Sequence, residues 1–222
     1  MSWSGHQGHA GRRGYHHGNL REALVEAALA LIAEKGPAGF TIAEAARLAG
    51  VSPAAPYRHF RDAEALLAEV AQRGFELLES ALAAAWHDGR PEPVAAFEAL
   101  GRAYLGFARS EPAHYAAMFE TRLAADAWPP LAAAADRAFG VLRGAAERLA
   151  EVLPKEQRPP ALMIALHVWA LSHGIATLFC RPDRGRRPLP MPPEELLEAG
   201  VLLYLQSLGL AGGTPRGHKS PP

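Results

Sequence analysis

Apolar residues recur along most of this chain at intervals of three and four, and no stretch alternates apolar with polar, so the pattern predicts helices and no strands. Leu24, Ala27, Ala28, Leu31 and Ile32 make the first stripe, opened by Asn19 with Glu22 three residues on and stopped by Gly36-Pro37. Thr41 and Glu44 have capping-box spacing at the head of a short second helix, in which Ala45, Ala46 and Ala49 leave a face that another helix can approach closely. Gly50 ends it where the backbone needs a positive φ, and Val51 turns inward as an apolar plug. Ser52 then reads as the N-cap of a third helix with Pro53 at its first position. Pro56 falls at the fourth position of that helix. It removes the first intrahelical hydrogen bond and disfavours α geometry at Ala55, so a tighter or irregular first turn is expected. Asp62 caps a fourth helix running to about His87, with Leu66, Leu67, Val70, Phe75, Leu78 and Leu82 on its inner side. At roughly 1.5 Å per residue it is long enough to connect two domains.

Beyond Pro91 and Pro93 the pattern predicts further helices over 94–109, 113–122, 130–153, 160–180 and 193–208, separated by Pro, Gly and Asp. The expected fold is all-α. Its N-terminal part, 19–62, has the two short helices and Gly-Val-Ser turn of a helix-turn-helix, which offers a helix to the DNA major groove. The long fourth helix joins it to a helical C-terminal domain over 63–208. Residues 1–18, rich in Gly, His and Arg, read as a flexible arm, and 209–222 as a disordered tail.

Composition narrows the class. With 222 residues, 49% of them hydrophobic and 8% aromatic, the chain has core enough and favours helices. Lys plus Arg and Asp plus Glu are equal at 23 each, so any attraction to nucleic acid must be local. A single cysteine, Cys180, cannot close an intrachain disulfide, which fits a reducing, cytoplasmic compartment, and it reads as a buried helix residue. The stretch 161–180 carries no charged side chain and is long enough to cross a bilayer. His167, Ser172, His173 and Gly174 suit it poorly to lipid, so a helix buried in protein is expected and no membrane partner. No Gly-rich phosphate loop, H-E-x-x-H or G-x-S-x-G occurs, so neither an enzyme nor a cofactor is expected. The alternative reading is a His-rich metal-sensing or metal-binding helical protein, from His6, His9, His16 and His17, although these lack the fixed spacing of a structural site and no Cys joins them.

The run T-I-A-E-A-A-R-L-A-G-V-S from Thr41, followed by Y-R-H-F and a long helix from Asp62, resembles the TetR family of bacterial transcriptional regulators. The arm Y-H-H-G-N-L-R from Tyr15 to Arg21 is similar to that of many members. Trp169, His173 and Gly174 reproduce the W-x-x-x-H-G pattern of a C-terminal class called the WHG type. The resemblance implies a homodimer whose N-terminal domains hold double-stranded operator DNA and whose C-terminal domains bind a small effector that releases it. Two departures matter. Pro56 stands where a Leu or Ile usually precedes the Tyr, and Ala63 where relatives often carry a phosphate-touching Lys, leaving Arg61 or Arg58 to supply that charge.

For DNA, Pro53, Ala54 and Ala55 can touch thymine methyl groups but make no bidentate hydrogen bond, so direct readout is thin. Arg58 is the candidate for a guanine contact, and Thr41, Ser52, Tyr57, His59 and Arg61 for phosphate, while Phe60 reads as core. Arg12, Arg13, His16 and His17 are candidates for the flanking minor groove. For a largely apolar effector, the candidates are Phe97, Tyr104, Phe107, His114, Tyr115, Met118, Phe119, Phe139, Trp169 and His173. Such side chains more often make core, and the bland reading of Trp169 and His173 is a buried Trp beside a His that satisfies a backbone carbonyl. The helices over 160–180 and 193–208 are the expected dimer surface, through Leu162, Leu166, Leu196, Val201, Leu203 and Leu205.

Overall fold

The computed structural model describes residues 20–153, 155, 158–180 and 190–209. The arm with Arg12, Arg13, His16 and His17, the helix-opening Asn19, the Arg/Pro-rich loop 181–189 and residues 210–222 of the tail lie outside the described residues. Within them the chain is helical without a strand: α1 (Leu20–Lys35), α2 (Ile42–Leu48), α3 (Ala63–Trp86), α4 (Pro93–Ser110), α5 (Pro112–Phe119), α6 (Pro129–Glu151), α7 (Ala161–Phe179) and α8 (Pro193–Ser207).

Local chemistry sets most of the ends. Asp62 accepts from the Ala65 N–H at 2.7 Å to start α3. Glu92 does the same for α4, its carboxylate taking the N–H groups of Val94 and Ala95 at 3.0 Å each. Pro stands in the first turn of α4, α5, α6 and α8, where its missing N–H costs nothing. α1 and α2 stop at glycines in the left-handed region, Gly36 at φ 78° and Gly50 at φ 72°. α5 is shorter than expected and ends at Phe119, with the Thr121 hydroxyl donating to the Ala117 carbonyl beyond it.

Two apolar clusters form, and α3 belongs to both. The first gathers Leu24, Leu31 and Ile32 of α1, Phe40, Ile42, Phe60, and Leu66 and Val70 of α3. Ala116 and Ala117 of α5 and Leu131 of α6 reach into it from the C-terminal side. The second gathers Leu78 and Leu82 of α3 with Phe97, Leu100 and Leu105 of α4, Leu142 and Leu149 of α6, Ile164 and Val168 of α7, and Leu197, Val201 and Leu205 of α8. An ionic knot ties α1 to α3 over the first cluster: Arg73 binds Glu22 and Glu69, and Arg21 binds Glu69 at 2.5 Å while lying over the Phe60 ring. The guanidinium groups hold both carboxyls below their ordinary range.

α7 is the one described helix long and apolar enough to cross a membrane. Its Ile164, Ala165, Val168, Ser172, Ile175 and Ala176 are buried in the second cluster's packing, while Leu162, Met163, Leu166 and Leu178 are exposed. Two of the residues expected at a dimer surface, Val201 and Leu205, are instead buried in the chain's own core, because α8 turns that edge inward against α4 and α7. Cys180 is not inside a helix but caps α7, half-buried.

Candidate DNA-reading surface and ligand cavity

Thr41 and Glu44 close a reciprocal cap. The Thr41 hydroxyl accepts from the Glu44 N–H at 3.2 Å, and the Glu44 carboxylate accepts from the Thr41 N–H at 2.9 Å. Lys35 adds an ion pair to Glu44 at 2.7 Å, and this pair, with the Thr41 bonds, pulls the Glu44 carboxyl down to about 2. After Gly50, the Val51 N–H reaches back to the Ala46 carbonyl at 3.0 Å and fixes the turn.

The expected third α-helix is not there. Residues 53–55 form a turn closed by the Ala55 N–H to the Ser52 carbonyl at 3.0 Å, and a single 3-10 turn, Pro56–Arg58, follows. Two prolines three residues apart remove two N–H donors, and no side-chain cap bond starts the turn, so α geometry has too few bonds to propagate. Contrary to the expectation from Pro56, Ala55 keeps right-handed helical angles, φ −64° and ψ −39°, because the turn closed on Ser52 holds it there. Pro56 and Phe60 are buried beneath the segment. Ser52, Pro53, Ala54, Arg58 and His59 are exposed, Tyr57 is 58% exposed, and Ala55 is half-buried.

The segment therefore offers a knuckle-like surface. The side chains of Arg58 and His59 have no partner among the described residues. Arg61 is engaged: its Nε donates to Asp62 at 3.1 Å, and its guanidinium lies 4.6 Å from the Trp128 ring centroid, at the start of α6.

In the C-terminal part a cavity of about 340 Å³ opens between α3, α4, α6 and α7, with Phe119 of α5 at its side. Phe75, Leu78 and Leu82 line one wall, Phe139 and Leu142 another, and Trp169 and Val168 a third. Of the ten residues expected to line a pocket, Tyr104, Phe119, Phe139 and Trp169 do so. The other six pack elsewhere. Phe97 and Phe107 face the core from α4. His114 is buried beside Glu111 at 3.0 Å, and Met118 lies against Gly74, where α5 crosses α3. Tyr115 and His173 form a polar layer behind the aromatic wall.

In that layer the hydroxyls of Tyr104 and Tyr115 both meet His173 Nδ1, at 2.8 and 3.0 Å, and Tyr115 also pairs with the Thr177 hydroxyl at 3.0 Å. Trp169 stacks on the His173 imidazole at 5.5 Å. The partner of His173 is thus a pair of phenols rather than a backbone carbonyl, because Tyr104 of α4 and Tyr115 of α5 converge on this face of α7. Burial lowers the His173 pKa and raises those of both tyrosines.

Sequence reasoning placed Phe75, Leu78 and Leu82 in the α3 stripe but not in a cavity, and it missed Ser172 as a lining residue. The pattern holds one signal for the latter, a hydroxyl in the middle of a charge-free apolar helix. Among the described residues no group of three or more His, Cys, Asp or Glu is placed to hold a metal ion, and His6, His9, His16 and His17 lie outside them.

A capped helix, a glycine turn and a proline-held 3-10 knuckle, joined through one long helix to a cavity-bearing helical bundle, have the layout of a DNA-binding regulator of the helix-turn-helix class with its second helix reduced to turns. Residues 24–70 match the model for bacterial regulatory proteins of the tetR family, and residues 97–204 match that for the tetracyclin repressor-like C-terminal domain. The chain belongs to the TetR family of transcriptional regulators. A protein of unknown function from Rhodococcus sp. RHA1 is similar at 31% identity and a TM-score of 0.73, covering 88% of this chain and 98% of that one. The TetR family transcriptional regulator PfmR from Thermus thermophilus shares the fold at 24% identity and a TM-score of 0.65, over 82% of this chain and 97% of its own. AibR, solved in complex with isovaleryl coenzyme A and operator DNA, shares it at 20% identity and a TM-score of 0.64, over 82% and 96%. No match was found among the curated proteins.

Proposed function

We propose that this TetR-family regulator acts in the cytoplasm as a homodimeric repressor that leaves a palindromic operator when a small, largely apolar molecule enters the C-terminal cavity. The observation that carries this reading is the double membership of α3. Its first turns, with Leu66 and Val70, belong to the core beneath the DNA-reading segment, and its later turns, with Phe75, Leu78 and Leu82, wall the cavity. A ligand that prefers one position of this wall therefore biases the other end of the same helix. A hundredfold loss of DNA affinity needs about 2.7 kcal/mol of such preference. AibR, of the same fold, is known with both an acyl-coenzyme A and operator DNA, which supports the pairing of the two activities.

In this reading residues 19–62 are the DNA-binding unit and residues 63–208 the effector and dimer unit. On DNA, Arg58 is the base-reading probe, Pro53, Ala54 and Ala55 meet methyl groups, and Thr41, Ser52, Tyr57, His59 and Arg61 hold phosphate. With so little hydrogen-bonding capacity on the knuckle, specificity rests on half-site spacing and DNA shape. The exposed apolar side chains Leu162, Met163, Leu166 and Leu203 of α7 and α8 are the dimer contact. The test is selection of bound fragments from a random DNA pool at low salt. Enrichment of a two-fold symmetric sequence bound by a dimer is expected. A selected pool with no symmetry, or binding by the monomer alone, overturns the reading.

A further inference from the structure

Polar groups are scarce on the cavity wall, and they differ in what they are already doing. Tyr104 has its hydroxyl committed to His173 at 2.8 Å. Asp136 is exposed, on the outer side of α6. Ser172 is 2% exposed, lines the cavity, and its hydroxyl has no hydrogen-bond partner among the described residues. The hydroxyl oxygen itself is reachable from the cavity, unlike the sealed, unpartnered Nε1 of Trp128, so it is free to bond whatever occupies that space. Across from it on α4 stands Gly101, also on the wall. A Cβ at Gly101 would meet Leu197 Cδ2 first, at 2.8 Å, and lie at ordinary contact distance, 3.6 Å, from Ser172 Oγ, so the glycine is required by the packing of Leu197 and sits beside the hydroxyl.

The charges on the wall are equally one-sided. Among the described residues that line the cavity there is no Lys, Arg or His, and the only ionisable carboxyl is Asp136. A carboxylate or phosphate brought inside would be stripped of water with no cation to meet it. The remainder is aromatic and aliphatic, with Phe75, Phe119, Phe139 and Trp169 at the centre.

We infer that Ser172 is the polar anchor of the cavity, and that its ligand is an uncharged, mainly apolar molecule presenting one hydrogen-bond acceptor of the carbonyl class to the Ser172 hydroxyl. This rests on the placement of the effector in the cavity proposed above and sharpens it. The apolar body supplies most of the binding free energy and the carbonyl fixes its orientation along α7. Anions of the same skeleton are excluded from the enclosed part.

Four probes of nearly one shape test this on the full-length protein at pH 7, with binding read from tryptophan emission, since Trp169 lines the cavity. They are 4-phenylbutan-2-one, the hydrocarbon isopentylbenzene, 3-phenylpropanoate, and protonated 4-phenylbutan-2-amine. The ketone should bind about fivefold tighter than the hydrocarbon, the worth of one hydrogen bond. The carboxylate should bind at least about tenfold more weakly than the ketone. Ser172→Ala should abolish the difference between ketone and hydrocarbon while leaving the hydrocarbon unchanged. Ser172→Cys, close in shape with a weaker donor, should fall between, which guards against a variant that merely folds poorly. The inference is overturned if the carboxylate equals the ketone, if Ser172→Ala leaves the ratio intact, or if the ammonium binds tightest, which would make Asp136 the anchor. Those outcomes leave the cavity as the effector site. Failure of all four probes to bind removes the cavity from the proposed function and this inference with it.

Discussion

Where α5 crosses α3, Gly74 has no room for even a methyl group. A Cβ built there lies 2.5 Å from Met118 Sδ, 3.0 Å from Met118 Cγ and 3.1 Å from His114 Cβ. Replacing Gly74 by Ala therefore sets two effects against each other. Helix propensity favours Ala over Gly by about 1 kcal/mol, whereas overpacking a tight contact costs about 1–3 kcal/mol. The Met118 sulfur can swing aside on a flexible chain, but His114 Cβ moves only with the α5 backbone. The net expectation is a loss of about 1 kcal/mol in urea unfolding, followed at one fixed protein concentration because dimerisation adds to apparent stability. In a Met118→Ala background most of the overlap is gone, and Gly74→Ala should become neutral or stabilise by up to about 1 kcal/mol. An equal effect in both backgrounds would refute the reasoning. So would a stabilising Gly74→Ala in the wild-type chain, since α5 would then stand further from α3 than these distances allow.

Three further outcomes are expected. His173 has a lowered pKa, so the unfolded chain binds its proton more readily than the folded one. Its contribution to stability is present above the ordinary imidazole value near 6.5 and is lost as pH falls through the folded value, with Tyr104 and Tyr115 facing the ring; His173→Phe should flatten that part of a pH series of urea melts. Arg58→Ala should weaken operator binding and lower the slope of log K against log salt by about one unit if the side chain meets phosphate, or leave the slope and relax base preference if it meets guanine. Arg61→Ala should change the slope less, since that guanidinium is already held by Asp62 and Trp128. Leu162→Glu with Leu203→Glu should convert dimers to monomers in sedimentation equilibrium, with the melting curve of the monomer still cooperative, because both side chains are exposed within one chain.

What the sequence made legible was chemistry that acts within a few residues. The Thr41/Glu44 box, the Asp62 cap and the positive φ at Gly50 each depend on one turn of chain, and each stands as the residue types dictate. The third helix fails on the same local scale: Ser52 has the residue type of an N-cap, whereas Pro53 and Pro56 leave the segment with turns only. Side-chain type could not separate cavity from core. Phe97 and Phe139 are equally apolar, and only the packing of α4 and α6 against the other helices decides that the first is sealed while the second faces open space. Leu162 and Leu205 differ in the same way, one exposed and one buried according to how α7 and α8 meet. Ser172 was hidden for a further reason: a hydroxyl gains meaning as an anchor only when its missing partner can be seen.

The continuity of α3 also restricts how this chain can change length over evolution. Because one unbroken helix carries both clusters, inserting or deleting a single residue between Ala71 and Phe75 would rotate Leu78 and Leu82 by about 100° relative to Leu66 and Val70, and slide them by about 1.5 Å. Either the cavity wall or the floor of the DNA-reading segment would then face the wrong way. Gains and losses near seven residues, close to two full turns, preserve both faces while changing the separation of the two ends. The indel spectrum of this helix in descendants of the chain should therefore be quantised in steps near seven residues.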